Sequence, residues 1–81
     1  MLLQFSKRAQ TQYESLEPGL RKIAQKQFTL LVGNLRHPSL RAKKYDESTD
    51  VWQARINKSW RFYFTIIGDV YFIATIRQHP K

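Results

Sequence analysis

From Val51 onward the chain alternates apolar and polar residues with a period of two, which is the spacing of side chains on an extended strand. The alternation runs through three stretches, VWQARI, WRFYFTI and VYFIATIRQH, which are separated only by NKS and IGD. Strands joined by such short turns pair with their chain neighbours in antiparallel fashion. The C-terminal half therefore predicts a three-stranded antiparallel meander with one apolar face.

The first turn, residues 57–59, sets the pairing of the first two strands. Directly opposed residues point to the same side of a sheet, so a three-residue turn places Ile56 opposite Trp60. The same register places Arg55 opposite Arg61, on the face that the tryptophans do not use.

A similar turn at residues 67–69 would place Ile66 opposite Val70, and Arg61 near Thr75 and Arg77. A two-residue turn at 68–69 has suitable chemistry but would set core residues opposite surface ones, so the longer turn is expected. In this register the third strand points Val70, Phe72, Ala74 and Ile76 toward the core, and Tyr71, Ile73, Thr75, Arg77 and His79 away from it.

The N-terminal half has a different period and predicts a short strand and two helices. Met1–Phe5 is a brief apolar strand, after which Ser6 can cap a helix that ends at residues 17–19. Pro18 is suited to the first turn of a second helix, and His37-Pro38 ends it. The predicted fold is α+β, of order β-α-α-β-β-β, with both helices on one face of an antiparallel sheet and residues 1–81 as a single domain.

The charge balance favours a polyanionic partner. Fourteen Lys and Arg stand against six Asp and Glu, a net charge of +8 that is large for 81 residues. Nucleic acid is the leading partner, ahead of an acidic protein or an anionic membrane, although many small basic proteins are simply solvated by lysine. The chain has no cysteine and no apolar run of about 20 residues, which predicts a cytoplasmic protein that does not bind or span a membrane.

Arginines converge on the outer face of the predicted meander. Like charges directly opposed on a sheet destabilise it, and an anion held between Arg55 and Arg61 would offset that repulsion. Tyr63 and Tyr71 would add rings for base stacking, or are ordinary strand surface. His79 ends the same sheet, and histidine exchanges protons near neutral pH. These residues suit cleavage of RNA, whose own 2′-hydroxyl supplies the nucleophile.

The run Arg41-Ala42-Lys43-Lys44 precedes the sheet, and either extends this basic groove or is a solvated loop. The sequence has no His, Asp and Glu cluster at metal-ligand spacing, no glycine-rich phosphate loop and no nucleophile elbow. It therefore predicts neither a metal nor a small-molecule cofactor.

The element order and the stretch VWQARINKSWRFYFTIIGDVYFIATIRQHPK resemble the RelE/ParE superfamily of toxins from type II toxin–antitoxin systems. HPSLRAKKYDESTDVW is similar to the linker from the family's second helix into the sheet. In the RelE branch, which the resemblance favours, the toxin enters the ribosomal A site and cleaves the mRNA there. Arg61 then resembles the phosphate-binding arginine of the middle strand, Arg55 a basic residue of the preceding strand, and His79 the donor of a proton to the 5′-oxygen.

The resemblance implies a metal-independent endoribonuclease whose partners are a cognate antitoxin, mRNA and the ribosome. In that reading Arg61, His79 and Arg55 are catalytic, and the RNA-binding residues are Arg41, Lys43, Lys44, Tyr63 and Arg77. Two alternatives stay open: an inhibitor of DNA gyrase like ParE, or a degenerate toxin that only binds its antitoxin or RNA.

Overall fold

A five-stranded mixed sheet carries two helices on one face. The computed structural model describes residues 1–79, in which the strand order across the sheet is β1-β5-β4-β3-β2. Strand β1 runs parallel to β5, and the other neighbours are antiparallel. The elements are β1 (Leu2–Phe5), α1 (Lys7–Ser15), α2 (Pro18–Gly33), a 3₁₀-helix (Pro38–Leu40), β2 (Lys43–Asp46), β3 (Val51–Arg55), β4 (Trp60–Ile67) and β5 (Val70–Gln78).

The helices begin where the sequence predicts. The Ser6 hydroxyl accepts a hydrogen bond from the Ala9 amide at 2.9 Å, which caps α1, and Pro18 occupies the first turn of α2. Both helices lie against the apolar side of the sheet, and the fully buried core includes Leu31, Phe62 and Phe64. This confirms the α+β prediction with helices on one face. No helix within residues 1–79 is long and apolar enough to cross a membrane.

The first turn of the meander has the predicted register. The Asn57 side-chain oxygen accepts hydrogen bonds from the Ser59 and Trp60 amides at 2.8 and 2.9 Å, which closes the 57–59 turn. Arg55 lies directly opposite Arg61, as predicted. Their side chains point to the face of the sheet that the helices leave open, hereafter the outer face.

The register predicted for the second turn is wrong. Ile67, not Ile66, lies opposite Val70, so the turn has two residues, with Gly68 at a positive φ of 59° that glycine adopts without strain. Tyr71 and Ile73 consequently belong to the core, whereas the sequence pattern places them outside. A one-residue shift exchanges the two faces of a strand, which is why both assignments change together.

A β-bulge at Ala74 restores the alternation further along β5. Tyr63 lies opposite Thr75 while the next residue, Phe64, lies opposite Ile73, so Ala74 is the additional residue. Beyond the bulge Ile76 is buried and Arg77 lies directly opposite Arg61, which the predicted register places near Thr75 and Arg77. The bulge therefore allows a tight turn at one end of the sheet and the expected outer face at the other.

Helix α1 satisfies the backbone of the bulged segment. The Ser6 hydroxyl donates to the Ala74 carbonyl at 2.7 Å, and the Gln12 side-chain oxygen accepts from the Ile76 amide at 2.7 Å and the Thr75 hydroxyl at 3.0 Å. Strand β1 ends opposite Ile73, so these groups of β5 have no strand on that side. The N-cap residue Ser6 and Gln12 of α1 thus supply hydrogen bonds to backbone groups that no strand pairs with.

The segment expected to be a linker before the sheet contains a further strand. Lys43–Asp46 forms β2 and pairs with β3 in antiparallel fashion, with a bulge at Tyr45 between Lys44 and Asp46. The side chains of β2 therefore alternate between the two faces. The observed order is β-α-α-β-β-β-β, one strand more than predicted.

Candidate nucleic-acid interface

The outer face of β2 to β5 contains two adjoining depressions of about 190 Å³ each, which share Gln53. The first, the arginine depression, is lined by basic side chains and Gln53. The second, the tyrosine depression, combines aromatic and polar side chains. The lining residues are Arg41, Lys43, Gln53, Arg55 and Arg61 for the arginine depression, and Tyr45, Gln53, Tyr63, Arg77, Gln78 and His79 for the tyrosine depression.

The arginine depression is positively charged because four of its five lining residues are basic and none is acidic. Burial lowers the pKa of Arg55 below its ordinary value, and the charges of Arg41 and Arg61 lower it further. The protonated guanidinium of Arg55 is thus held where both its surroundings and its neighbours disfavour charge. A bound anion would favour the charged form of Arg55 and so oppose both effects.

Arg61 is oriented by the turn that precedes its strand. Its Nη1 donates to the Asn57 carbonyl at 2.8 Å and to the Trp60 carbonyl at 3.1 Å. Within residues 1–79 its Nη2 and Nε make no hydrogen bond, which leaves donors of a pre-oriented guanidinium available to an anion. Guanidinium donors match the spacing of phosphate oxygens, which a lysine cannot imitate.

Arg41 reaches the depression from a strained backbone position. It follows the 3₁₀-helix with a left-handed φ of 46°, a conformation that is uncommon for a residue with a long side chain. Non-glycine residues in this region persist only where their surroundings hold them, and they concentrate at functional sites.

Gln27 supplies part of that support. It is 3% exposed and lies on α2, where its Nε2 donates to the Arg55 carbonyl at 2.8 Å and the Ser39 carbonyl at 3.2 Å. The Ser39 hydroxyl donates back to the Gln27 side-chain oxygen at 3.1 Å. One buried amide therefore ties the segment preceding Arg41 to the end of β3, where Arg55 lies. The sequence pattern does not point to Gln27, because a glutamine in an amphipathic helix gives no signal of burial.

In the tyrosine depression, Tyr63 is covered more than the sequence suggests. Its side chain lies on the outer face but is 8% exposed, with the Arg77 guanidinium over its ring at 4.6 Å and the Tyr45 ring 5.0 Å away, centroid to centroid. The prediction that Tyr71 offers a second outward ring is wrong, because Tyr71 packs edge-to-face on Phe64 in the core.

His79 is exposed and lies beside the 57–59 turn. Its backbone amide donates to the Ser59 carbonyl at 2.6 Å, which fixes the end of β5 next to the turn that orients Arg61. Its side chain lines the tyrosine depression together with Arg77, while Arg61 lines the arginine depression. His79 therefore lies next to the arginine depression and does not line it.

Lys44 is separated from the other predicted RNA-binding residues. Its ammonium forms an ion pair with Asp50 and lies 5.6 Å from the centroid of the Trp52 ring. The hydrogen bond to Asp50 raises the pKa of Lys44. Lys43, one residue earlier, lines the arginine depression, so the alternation of β2 divides the two lysines between the faces.

Two further lining residues, Tyr45 and Gln53, could not be predicted from the sequence pattern. Tyr45 falls in a segment interpreted as a linker. The direction of its side chain could be predicted only if that segment were known to be a strand. Gln53 lies on the outer face as the alternation predicts, but a glutamine between a tryptophan and an alanine gives no functional signal.

Solved structures identify the fold. No protein-family model and no curated protein matches the chain. A YoeB/ParE toxin from Agrobacterium tumefaciens superposes with a TM-score of 0.82 at 14% identity, over 99% of this chain and 100% of that one. The chain has the RelE/ParE toxin fold. The YoeB dimer from Staphylococcus aureus matches with a TM-score of 0.80 at 19% identity, over 99% of this chain and 98% of that one.

A chain of the intact E. coli RelBE toxin–antitoxin complex has the same RelE/ParE fold, with a TM-score of 0.76 at 17% identity over 99% of this chain and 98% of that one. These matches agree with the family resemblance of the sequence at the level of the fold. In the RelE/ParE fold of this chain, the outer face of the sheet carries the five basic side chains that line the two depressions, Arg41, Lys43, Arg55, Arg61 and Arg77.

Proposed function

We propose that this chain is the toxin of a type II toxin–antitoxin system and acts as a metal-independent endoribonuclease on ribosome-bound mRNA in the cytoplasm. The arginine depression carries the proposal: Arg41, Lys43, Arg55 and Arg61 converge without an acidic partner on an open face. Such a cluster suits the backbone of a polyanion, and the likeness to RelE-type structures supports RNA in a translating ribosome as that polyanion.

The proposed reaction uses the substrate's own nucleophile. The 2′-hydroxyl loses its proton to water and attacks the adjacent phosphorus, and the bond from phosphorus to the 5′-oxygen breaks. Charge that accumulates on the phosphoryl oxygens is stabilised by Arg61, whose guanidinium is oriented before the substrate binds, and by Arg55, which lies opposite it. His79 donates a proton to the departing 5′-oxygen. The products are a 2′,3′-cyclic phosphate and a 5′-hydroxyl.

The proposed protein partner is a cognate antitoxin. Two of the similar structures are the toxin–antitoxin complexes RelBE from E. coli and YoeB–YefM from Staphylococcus aureus. The net charge of +8 suits an acidic segment laid across the outer face. In this arrangement the antitoxin would compete with RNA for the arginine depression.

Primer-extension mapping in a translating extract tests the proposal. The expected result is a set of cuts at fixed positions within codons, with 5′-hydroxyl ends on the downstream fragments. Arg61→Ala and His79→Ala should abolish the cuts, whereas Arg8→Ala, on the exposed side of α1, should leave them unchanged. Circular dichroism should show that all three variants remain folded.

The opposite results are equally clear. Normal cleavage by both Arg61→Ala and His79→Ala would show that the site is misplaced. An absence of cuts together with DNA damage that depends on gyrase would favour the alternative of a gyrase inhibitor. An absence of both, with tight binding of an antitoxin, would indicate a degenerate toxin.

A further inference from the structure

Tyr45 presents an open aromatic ring beside the arginine depression. It is 57% exposed, and among the Phe, Tyr and Trp side chains within residues 1–79 it is the only one that is exposed. It is the additional residue of the β2 bulge, and bulges commonly occur next to functional sites because they redirect a side chain. Exposing a large ring on a small domain forgoes favourable burial, so a ligand that covers the ring would recover it.

The ring is held in place by its neighbours. Tyr45 and Tyr63 form an edge-to-face pair with ring planes at 69°, and Tyr63 in turn lies under the Arg77 guanidinium. An edge-to-face pair can use at most one face of Tyr45. The 57% exposure of Tyr45 is consistent with a face of the ring that is open to a flat ligand.

Gln53 connects this ring to the arginines. It lines both depressions, lies directly opposite Tyr63 on β4, and is two residues from Arg55 on the same face of β3. Two residues along a strand span about 7 Å. The side-chain amide of Gln53 makes no hydrogen bond to another residue within 1–79, so it can donate to and accept from a ligand that crosses between the depressions.

We propose that the tyrosine depression binds one nucleobase of the RNA, stacked on Tyr45, while the adjoining phosphate lies in the arginine depression. Gln53 contacts the nucleotide between these two points. This inference rests on the proposed function, since it names the part of the RNA that each of the two depressions binds. It assigns Tyr45 as a binding residue and gives it no part in the chemistry.

A flat, neutral ring fits the tyrosine depression better than a second phosphate. Tyrosine rings stack on bases without regard to sequence, whereas they offer an anion one hydroxyl donor. Arg77, the one side chain in this depression that always carries a positive charge, already lies over Tyr63. The arginine depression therefore suits the phosphate of a nucleotide, and the tyrosine depression suits its base.

A binding cycle with an uncleavable RNA tests the inference. The probes are a four-nucleotide 2′-O-methyl RNA with all its bases and the same backbone made abasic throughout, both measured at low salt by fluorescence anisotropy. Wild-type protein should bind the base-bearing probe about fivefold to 150-fold more tightly, the loss expected when one stacked base is removed. Tyr45→Ala should lose that factor for the base-bearing probe and bind the abasic probe as wild type does.

Control variants separate stacking from other effects. Tyr45→Phe should retain the preference, because phenylalanine keeps the ring. Arg55→Gln should weaken both probes equally, and Ile67→Ala, an exposed apolar residue at the opposite end of β4, should change neither. Equal loss for both probes in Tyr45→Ala, unchanged affinity for both, or no base preference in wild type would each overturn the inference.

The cycle fails independently of the proposed function because 2′-O-methyl RNA cannot be cut. Codon-positioned cuts in the extract without coupling between Tyr45 and the bases would overturn this inference alone. Coupling in a protein that never cuts would overturn the nuclease proposal and leave the base-binding role intact.

Discussion

Arg55 and Arg61 oppose each other directly across β3 and β4, and the depression that they line contains no acidic side chain. The arrangement keeps two like charges together in the absence of ligand, which opposes folding. It also prepares two guanidinium groups for a ligand with several negative oxygens. Stability and binding are therefore expected to change in opposite directions when this pair is altered.

Arg55→Gln should raise the urea midpoint of unfolding at low salt. The pKa of Arg55 is lowered in the folded state, so folding disfavours the charged form of this residue. Removing the charge should therefore raise the free energy of unfolding. Added phosphate should stabilise wild type and have less effect on the variant, because it binds the folded state at the pair. Arg8→Gln removes the same charge from exposed α1 and serves as the control. A lower midpoint for Arg55→Gln than for this control would contradict the argument.

Lys43 and Lys44 should differ sharply in their effect on RNA binding. Lys43 lines the arginine depression, whereas Lys44 is paired with Asp50 and lies over Trp52. For single-stranded RNA each phosphate contact contributes about 0.7 to the negative slope of log affinity against log salt. Lys43→Gln should reduce that slope by about this amount in a salt titration, and Lys44→Gln should leave it unchanged. Equal slopes for the two variants would show that the division between the two faces of β2 does not govern binding.

Substitutions at Arg41 should separate its backbone role from its charge. Asparagine tolerates the left-handed conformation, so Arg41→Asn should keep the stability of wild type while weakening RNA binding. Arg41→Val should weaken binding and also destabilise the fold, by roughly 1–2 kcal/mol, because a β-branched residue resists this conformation. Urea unfolding and RNA titration of both variants provide the check. Equal stability of the two variants would argue against strain at this position.

Gln27→Leu should destabilise the protein by roughly 1–3 kcal/mol, because the carbonyls of Ser39 and Arg55 lose their shared donor inside the structure. The matched control is Gln25→Leu, an exposed position of the same helix, which should cost little. Urea unfolding measures both. At the same protein concentration Gln27→Leu should also weaken RNA binding even where it is fully folded, since the segment before Arg41 loses its attachment to β3. Undiminished RNA affinity would mean that Gln27 serves stability alone.

Gln12→Ala should cost about 1 kcal/mol, because it removes the acceptor for the Ile76 amide next to the bulge of β5. Gln10→Ala, which loses only an exposed hydrogen bond to Glu14, is the control. Hydrogen exchange followed residue by residue should show faster exchange of the Ile76 amide in the first variant only. Unaltered protection of that amide would show that the bulge does not depend on α1.

The sequence predicts what depends on local pattern. Ser6 at the start of α1, Pro18 at the start of α2 and the 57–59 turn each follow from a signal within a few residues, and the structure confirms all three. The opposition of Arg55 and Arg61 follows from that turn alone. It was therefore predictable without knowledge of the remaining fold.

The prediction fails where distant side chains decide the backbone. The two-residue turn at Gly68 occurs together with a bulge at Ala74, and the backbone at this bulge is hydrogen-bonded by Ser6 and Gln12, more than 60 residues away. No period within β5 indicates such a contact. The two-residue turn exchanges the faces of β5, and the bulge at Ala74 exchanges them again. Arg77 follows the bulge and therefore faces outward as predicted.

The residues of the candidate site also fall into those that the sequence pattern predicts and those that it does not. Alternation identifies Arg55, Arg61 and Arg77 on one face, but the strand that carries Lys43 and Tyr45 is only four residues long. A period of two cannot be distinguished from chance in so short a segment. The burial of Tyr63 beneath Arg77 and Tyr45 likewise depends on side chains of three strands.

Strand β2 lies at the border of the sheet, and within residues 1–79 its other side has no strand to pair with. Exposed borders of this kind recruit further copies of a protein into aggregates, and natural sheets prevent this with lysines and bulges. Lys43 and the bulge at Tyr45 are such protective features. Variants that remove them to test the proposed function would also make the protein prone to self-association, so under that proposal an inactive form that stays soluble is better sought at Arg61 or His79.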